Sequence, residues 1–481
     1  MAAAADAGGV REVDVPVLSL ARLRPLIGDA RFGELELAAA RTRAALAGTT
    51  VFNVNSTATG GGVAEMLQVL VGYILDAGVE ARWLVINGDA PFFEVTKRIH
   101  NRLHGSPGDD GDLGAHEAAV YERAMETNTA AVLAAVAPGD VVLLHDPQTA
   151  GMAGPLAEAG ARVIWRCHVG ADSVNEWTEQ AWSFLRPHVE RCLGAVFSRR
   201  SYVPSWLPAE RVEVIPPSID PFSPKNEDIP FADRARILGT LGVVSQLPGQ
   251  PPGTFARRDG TIGRVERPAV VVADGEPLDP IAPVVVQVSR WDRLKDMHGV
   301  MVGFAERVVG RADAHLLLVG PSVEGVTDDP EGAAVLAECV DTWRALPAPV
   351  RRRIRLVSLP MADVDENAAM VNALQRHATV VVQKSLAEGF GLTVAEAMWK
   401  AKPVVASAVG GIVDQVVPGT GILLDDPADL DAFGDALAGL LGDPDAVATL
   451  GARAKRHVLQ GFVGDTHLLH YAALMQRIVG G

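Results

Sequence analysis

Two short stretches place charged residues where a bound diphosphate and sugar would need them. In SRWDRLKD (289–296) an apolar run ends and Arg290 and Lys295 follow at once. The guanidinium of Arg290 is a planar fork and the ammonium of Lys295 a point charge. Together they suit the phosphates of a nucleotide. As plain structure they are two surface cations at a helix start. Cations there oppose the helix dipole, which weighs towards the first reading. In EGFGLTVAE (388–396) two glutamates stand with seven residues between them. Glu388 falls in a strand–helix loop, and Gly389-Phe390-Gly391 makes that turn flexible and bares N–H groups. Glu396 lies inside the next helix, where it suits the vicinal hydroxyls of a ribose. In isolation a solvated glutamate favoured by the dipole is the better reading of it.

A weaker signal is Gly60-Gly61-Gly62, directly after one strand pattern and before a helix pattern. Glycines let a backbone approach an anion, and a helix start supplies free N–H groups. The run is neither G-x-G-x-x-G nor a P-loop, because no G-K-[ST] follows. A tight strand–helix turn explains it as well. Polar residues also end three strand patterns: Asn55, Asp146-Pro147-Gln148 and His168. Each alone suits a turn or cap. Three of them at strand ends of one parallel sheet would share an edge, which suggests a binding surface.

The elements that must position these residues alternate along the chain. Strand patterns at 50–56, 81–87, 141–146, 162–168, 195–198 and 212–217 are separated by helical periodicity such as 61–78. Such alternation implies a parallel sheet covered on both faces. Residues 17–47 read as a helical N-terminal extension. VIPPSIDPFSP (214–224) reads as an interdomain linker. The stretch 226–281 has weak periodicity and is expected to be a mobile surface insertion. Within it, 269–278 suits a small hairpin turning at Asp274-Gly275. A second alternation follows, with strands at 283–289, 314–320, 353–359, 379–384 and 403–407, and then a helical tail over 427–479. The fold class is therefore α/β, two doubly wound domains, with a ligand expected at the carboxyl ends of both sheets, facing one cleft. The expected boundaries are 1–218, with 463–481 returning to it, and 219–462.

Bulk properties narrow the function classes. At 481 residues the chain exceeds one ordinary core. A net charge of −16 and no basic stripe argue against nucleic-acid binding. Arg351-Arg352-Arg353 reads as a solvated edge. Asp109-Asp110 and Asp328-Asp329 read as solvated loops. Three cysteines and no C-x-x-C pair fit a reducing cytoplasm and no structural zinc. No apolar run is long enough for a bilayer. The expectation is a cytoplasmic protein without a membrane partner.

SRWDRLKD with EGFGLTVAEAMWKAKPVVASAVGGI resembles the donor-binding half of retaining glycosyltransferase family 4. Within it, VNSTATGGGVAEML, FFEVTKRIHNRLHG, LLHDPQTAG, WRCH and NALQRHATVVVQKSLAEGFGLTVAEAMWK resemble the trehalose glycosyltransferring synthases, from about Leu26 to the C-terminus. The resemblance implies the GT-B fold, with C-terminal helices packing back on the N-terminal domain. It also implies transfer of glucose from an NDP-glucose to free glucose. By motif, Arg290 and Lys295 would hold the diphosphate, and Glu396 the ribose. Glu388, His168 and the backbone of Phe390, Gly391 and Leu392 would meet the donor sugar. Gly61 and Gly62 would border the phosphates. Asn55, Asp146 and Gln148 are candidates for the acceptor. The chain departs from the pattern in the long 226–281 segment and in Asp296-Met297, where many relatives have a glycine.

Three readings follow. One is the trehalose-forming transferase. Another is a retaining trehalose phosphorylase, against which Glu396 counts because a phosphorylase has no ribose to bind. The third is a non-catalytic nucleotide-sugar sensor. Expected partners are the nucleotide-sugar and a small sugar acceptor, compatible with a homodimer. No tightly bound cofactor or metal is expected, and magnesium is at most accessory.

Overall fold

The protein was analysed as a computed structural model that describes residues 9–58, 62–109, 111–246, 249–323 and 330–480. The chain divides into two compact units, Met1–Ser218 with Phe462–Gly481, and Ile219–Gly461. Each is built on a seven-stranded sheet.

The first unit carries β1 (Val10–Val13), β2 (Val51–Asn55), β3 (Ala81–Ile86), β4 (Val141–His145), β5 (Arg162–Cys167), β6 (Gly194–Phe197) and β7 (Val212–Val214). Their order is β1-β3-β2-β4-β5-β6-β7. All neighbours are parallel except β1, an edge strand antiparallel to β3 that the sequence patterns did not suggest. All five residues of β2 and of β4 are buried. Burial along the whole length marks strands covered on both faces, and it takes in the polar Asn53, Asn55 and His145. One face packs around Trp165, Phe197 and Tyr121. The other packs Leu143, Ile164 and Val196 against Tyr471, Leu474 and Met475 of the last helix, Gly464–Gly480. That helix is fixed by Asp465, which accepts from Arg31 at 2.5 Å, and by Gln476 donating to Thr42. Arg31 and Thr42 sit on the helix Arg24–Ala45, so the expected N-terminal helical extension is present and packs with the returning helix. The earlier tail helices, Leu430–Leu441 and Pro444–Gly461, belong to the second unit.

The second unit carries a hairpin, β8 (Thr254–Ala256) and β9 (Ile262–Arg264). It also carries β10 (Val270–Val272), β11 (Val284–Val288), β12 (His315–Pro321), β13 (Ile354–Leu359), β14 (Val380–Gln383), β15 (Val404–Ser407) and β16 (Ile422–Leu424). The order is β10-β13-β12-β11-β14-β15-β16, parallel but for β10. The expected hairpin over 269–278 does not form. Its first arm is β10, which pairs antiparallel with β13 (Val271 opposite Val357). An apolar β13 left at a sheet edge offers more hydrogen bonds and burial than a short isolated hairpin.

The 226–281 segment is also not the mobile insertion its weak periodicity suggests. It contains the helix Phe231–Thr240 as well as the hairpin and β10. The acidic start of the helix Val364–His377 holds it. Asp363 pairs with Arg257 at 2.7 Å, Asp365 with Arg258 at 3.0 Å, and buried Glu366 with Arg267 and the backbone of Glu266. Its patterning is weak because salt bridges and short strands fix it instead of an apolar stripe. The arginine run is likewise only partly solvated: Arg351 pairs with Asp274 and lies over Trp343, and Arg353 pairs with Asp313. Asp110, Asp328 and Asp329 lie outside the described residues.

Candidate active site

Both sheets reverse their direction of strand addition once, and ligand sites in such sheets form at the carboxyl ends flanking that reversal. In the second unit the reversal lies between β11 and β14. The loops leaving these two strands carry SRWDRLKD and SLAEGFG. They are stitched together: Leu386 N donates to Leu294 O at 2.8 Å. Lys295 Nζ reaches both carboxylate oxygens of Glu388 at 2.8 Å. Ser385 Oγ donates to the same carboxylate at 3.2 Å. Both members of the pair keep some solvent exposure, 15% and 12% of the side chain. Arg290 is more open and is held by Asp292 at 3.0 Å. Asp292 also caps the short turn Arg293–Lys295 by accepting from Leu294 N.

Behind Lys295 lies a second layer that the sequence reading missed. Lys384, at the end of β14, is 1% exposed and pairs with Asp296. Asp296 caps the helix Met297–Arg307 by accepting from Gly299 N at 3.0 Å. It does so with φ 48° and ψ 43°, a left-handed conformation that costs a non-glycine residue about 1 kcal/mol or more. The cap and the buried ion pair offset that cost and hold aspartate in this conformation. Gln287 locks the arrangement, donating to Lys295 O at 2.7 Å and accepting from Lys384 N at 3.2 Å. A lysine directly after a buried strand was the available signal.

The Gly389–Gly391 turn opens the helix Leu392–Trp399. Gly391 has φ 80°, a conformation that favours glycine at this helix start. Phe390 is buried, and its carbonyl accepts from Gln415 Nε2. Glu396 does not sit on a solvated face: it is 4% exposed, 3.5 Å from Lys225 Nζ. The buried Lys400 donates to Asn226 Oδ1 at 2.9 Å and to Glu396 O at 3.0 Å, tying the start of the 226–281 segment to this helix. Burial and neighbouring cations push the Lys400 ammonium well below its ordinary range, partly opposed by Glu396.

In the first unit the reversal lies between β2 and β4. Asn55, Asp146 and His168 do share one sheet edge, at the ends of the neighbouring strands β2, β4 and β5. Asn55 is buried and engaged within the unit. It accepts from Trp83 Nε1 and donates to Thr57 O, both at 2.7 Å, so it holds the loop that follows β2. Asp146 has φ 62° and accepts the backbone N–H of His168 at 2.8 Å. Burial pushes its carboxyl up to about 7, against the His168 N–H and Arg166, which lower it. Gln148 is half-buried in the turn after Asp146. Gly62 is the first residue of the helix Gly62–Asp76, and Gly61 lies outside the described residues. Next to these sit groups the sequence reading passed over. His145 Nδ1 is 3.0 Å from His168 Nε2, with the rings stacked at 5.3 Å and 11°. His145 Nε2 is 3.1 Å from Asn53 Oδ1. Arg166 is fully buried and donates to Ile215 O at 2.7 Å. A histidine and an arginine inside apolar strands were the legible signals.

Among the described residues no helix is long and apolar enough to cross a membrane. The model of the trehalose synthase N-terminal domain matches residues 53–204, and that of group 1 glycosyl transferases matches 365–457. The chain is 35% identical over 465 residues to the trehalose synthase of Rubrobacter xylanophilus, covering 96% of this chain and 97% of that one. It is 32% identical over 472 residues to the trehalose synthase of Pyrococcus horikoshii, covering 98% and 99%. Among solved structures, sucrose-phosphate synthase from Thermosynechococcus elongatus aligns with a TM-score of 0.61 at 18% identity, over 90% of this chain and 99% of that one. That last likeness is one of fold.

Proposed function

The chain belongs to the trehalose synthase family of GT-B glycosyltransferases, and from that premise we propose that it transfers glucose from an NDP-glucose to free glucose, forming α,α-trehalose with retention. The observation that carries this reading is the Lys295–Glu388 pair at the β11–β14 reversal, next to the glycine-opened helix that bears buried Glu396. In this reading Lys295 and Arg290 meet the diphosphate. Glu388 fixes Lys295 and faces the donor sugar, alongside the backbone of Phe390, Gly391 and Leu392. Glu396 accepts from the ribose hydroxyls. Preorganised cations act most strongly on charge that develops in the transition state, here on the departing NDP.

The donor glucose is α-linked and so are both halves of trehalose, so configuration is retained. A double displacement needs a carboxylate beneath the anomeric carbon. Asp146 suits that poorly: it is committed to the His168 N–H, and its carboxyl is pushed up to about 7. We therefore favour a same-face substitution. The bond from the anomeric carbon to the phosphate oxygen breaks, the bond to the acceptor oxygen forms, and the acceptor proton passes to the departing phosphate. Positioning and electrostatics supply the rate. Asp146 and Gln148 are assigned to acceptor hydroxyls, and His168 to the donor glucose.

The test is product analysis with several NDP-glucoses and labelled glucose. The expected product is a non-reducing disaccharide whose two anomeric signals are both α. A β-linked or reducing product overturns the assignment. Product formed only from glucose 1-phosphate, with release of phosphate, selects a phosphorylase, and donor binding without turnover selects a sensor.

A further inference from the structure

We infer that Asn53 and His145 are positioning residues that hold His168 as one neutral tautomer, protonated on Nε2 and bare on Nδ1, so that its ring accepts from a sugar hydroxyl and disfavours a phosphate oxygen. This rests on the proposed placement of His168 at the donor glucose.

The order of the contacts fixes the direction of the protons. An amide oxygen only accepts, so the His145 Nε2 that faces Asn53 Oδ1 at 3.1 Å carries a proton. A neutral imidazole has one N–H, which leaves His145 Nδ1 as an acceptor. His168 Nε2, 3.0 Å away, then donates to it. The proton count of the relay leaves His168 Nδ1 bare. All three side chains belong to one sheet face, because Asn53 and His145 are diagonal neighbours on paired strands and His145 stands opposite Arg166 in the ladder.

What surrounds the relay keeps it neutral. Arg166 on β5 is fully buried, permanently charged, and pairs with no carboxylate among the described residues. His467, on the last helix, is buried and its Nδ1 faces Pro216 O at 2.9 Å. Asp146 is the near carboxyl, itself held towards its neutral form by burial. Burial and Arg166 hold His145 and His168 well below the ordinary imidazole range. Protonating either ring would place a second positive charge beside Arg166, and protonating His145 would also set two N–H groups against each other in its contact with His168. A bare ring nitrogen can be satisfied only by a donor. A sugar hydroxyl has that proton and a phosphate diester oxygen does not, so the relay is a polarity filter.

The test is a long-range proton–nitrogen spectrum of 15N-histidine-labelled protein, with His168 identified from its absence in His168→Gln. We expect the Nε2–H tautomer, unchanged across neutral pH. Asn53→Leu should give mixed tautomers and kcat/KM for the NDP-glucose about tenfold lower, the worth of one hydrogen bond of about 1.4 kcal/mol. Asn53→Asp keeps an accepting oxygen and should restore the tautomer. An Nδ1–H tautomer in the unaltered protein, titration of His168 near neutral pH, or an unaltered tautomer in Asn53→Leu overturns the inference. If the tautomer is as stated but His168→Gln turns over normally, the placement of His168 at the sugar fails and the relay stands.

Discussion

The two sheet edges share an architecture and differ in how they carry charge. Each has six parallel strands, one antiparallel edge strand and one reversal. At the second edge the charges are kept by pairing: Lys295 with Glu388, Lys384 with Asp296, Arg290 with Asp292. At the first the titratable side chains are held neutral by burial beside Arg166, which keeps its charge: His145 is driven down to about 3 and Asp146 up to about 7. The difference matches the chemistry proposed for each. A leaving diphosphate needs fixed positive charge, whereas neutral sugars need polar groups that neither attract nor repel ions. The second edge can hold full charges because each has a near partner, so desolvation is partly repaid.

The largest effect should come from breaking a buried pair at the second edge. Asp296→Asn keeps the helix cap and tolerates the left-handed conformation, but leaves Lys384 without its counter-charge. We expect a loss of about 3 kcal/mol in urea unfolding, most of it recovered in the double variant with Lys384→Met. A loss no greater than that of a surface substitution would mean that pairing is not what sustains charge there.

Next in size is the barrier. Lys295→Ala or Arg290→Ala should lower kcat about a hundredfold or more, roughly 2.7 kcal/mol. Near-normal turnover in both would sink the phosphate assignment. Glu396→Gln should act differently, raising the donor KM by about tenfold with kcat little changed, because a ribose contact is similar in ground and transition states. Equal effects on KM and kcat would place Glu396 nearer the reacting centre.

The smallest effect tests the first edge. Its raised pKa means that folded Asp146 holds a proton that the unfolded chain has released, over the interval from the ordinary carboxylate range to about 7. Stability therefore falls as pH rises through that interval, and charged Asp146 is a burden above it. Asp146→Asn cannot ionise and suits φ 62°. Its Tm relative to the unaltered protein should rise by a few degrees between mildly acidic and mildly alkaline pH. A constant difference would show that burial does not set the charge of this edge.

Much of this was legible in the residues themselves. Apolar runs such as VVLLH and VVVQV, with helical periods between them, fix a doubly wound α/β chain, because strands buried on both faces leave no polar side to alternate. The motifs around Arg290, Lys295, Glu388 and Glu396 marked the charged edge, since their spacing follows from the local strand–loop–helix course. Tertiary structure alone decided the rest. Val270–Val272 became an edge strand because β13 lacked a neighbour. Glu396 reads as a solvated helical glutamate until Lys225 is brought to it from far off in sequence. Lys384, Asn53, His145 and Arg166 gain their roles only from partners far off in sequence, as Lys384 does from Asp296 across 88 positions. Hydrophobic pattern is a property of neighbouring residues, so it survives in one dimension. The charge state of a buried group depends on what surrounds it in space, and only the packed chain determines that.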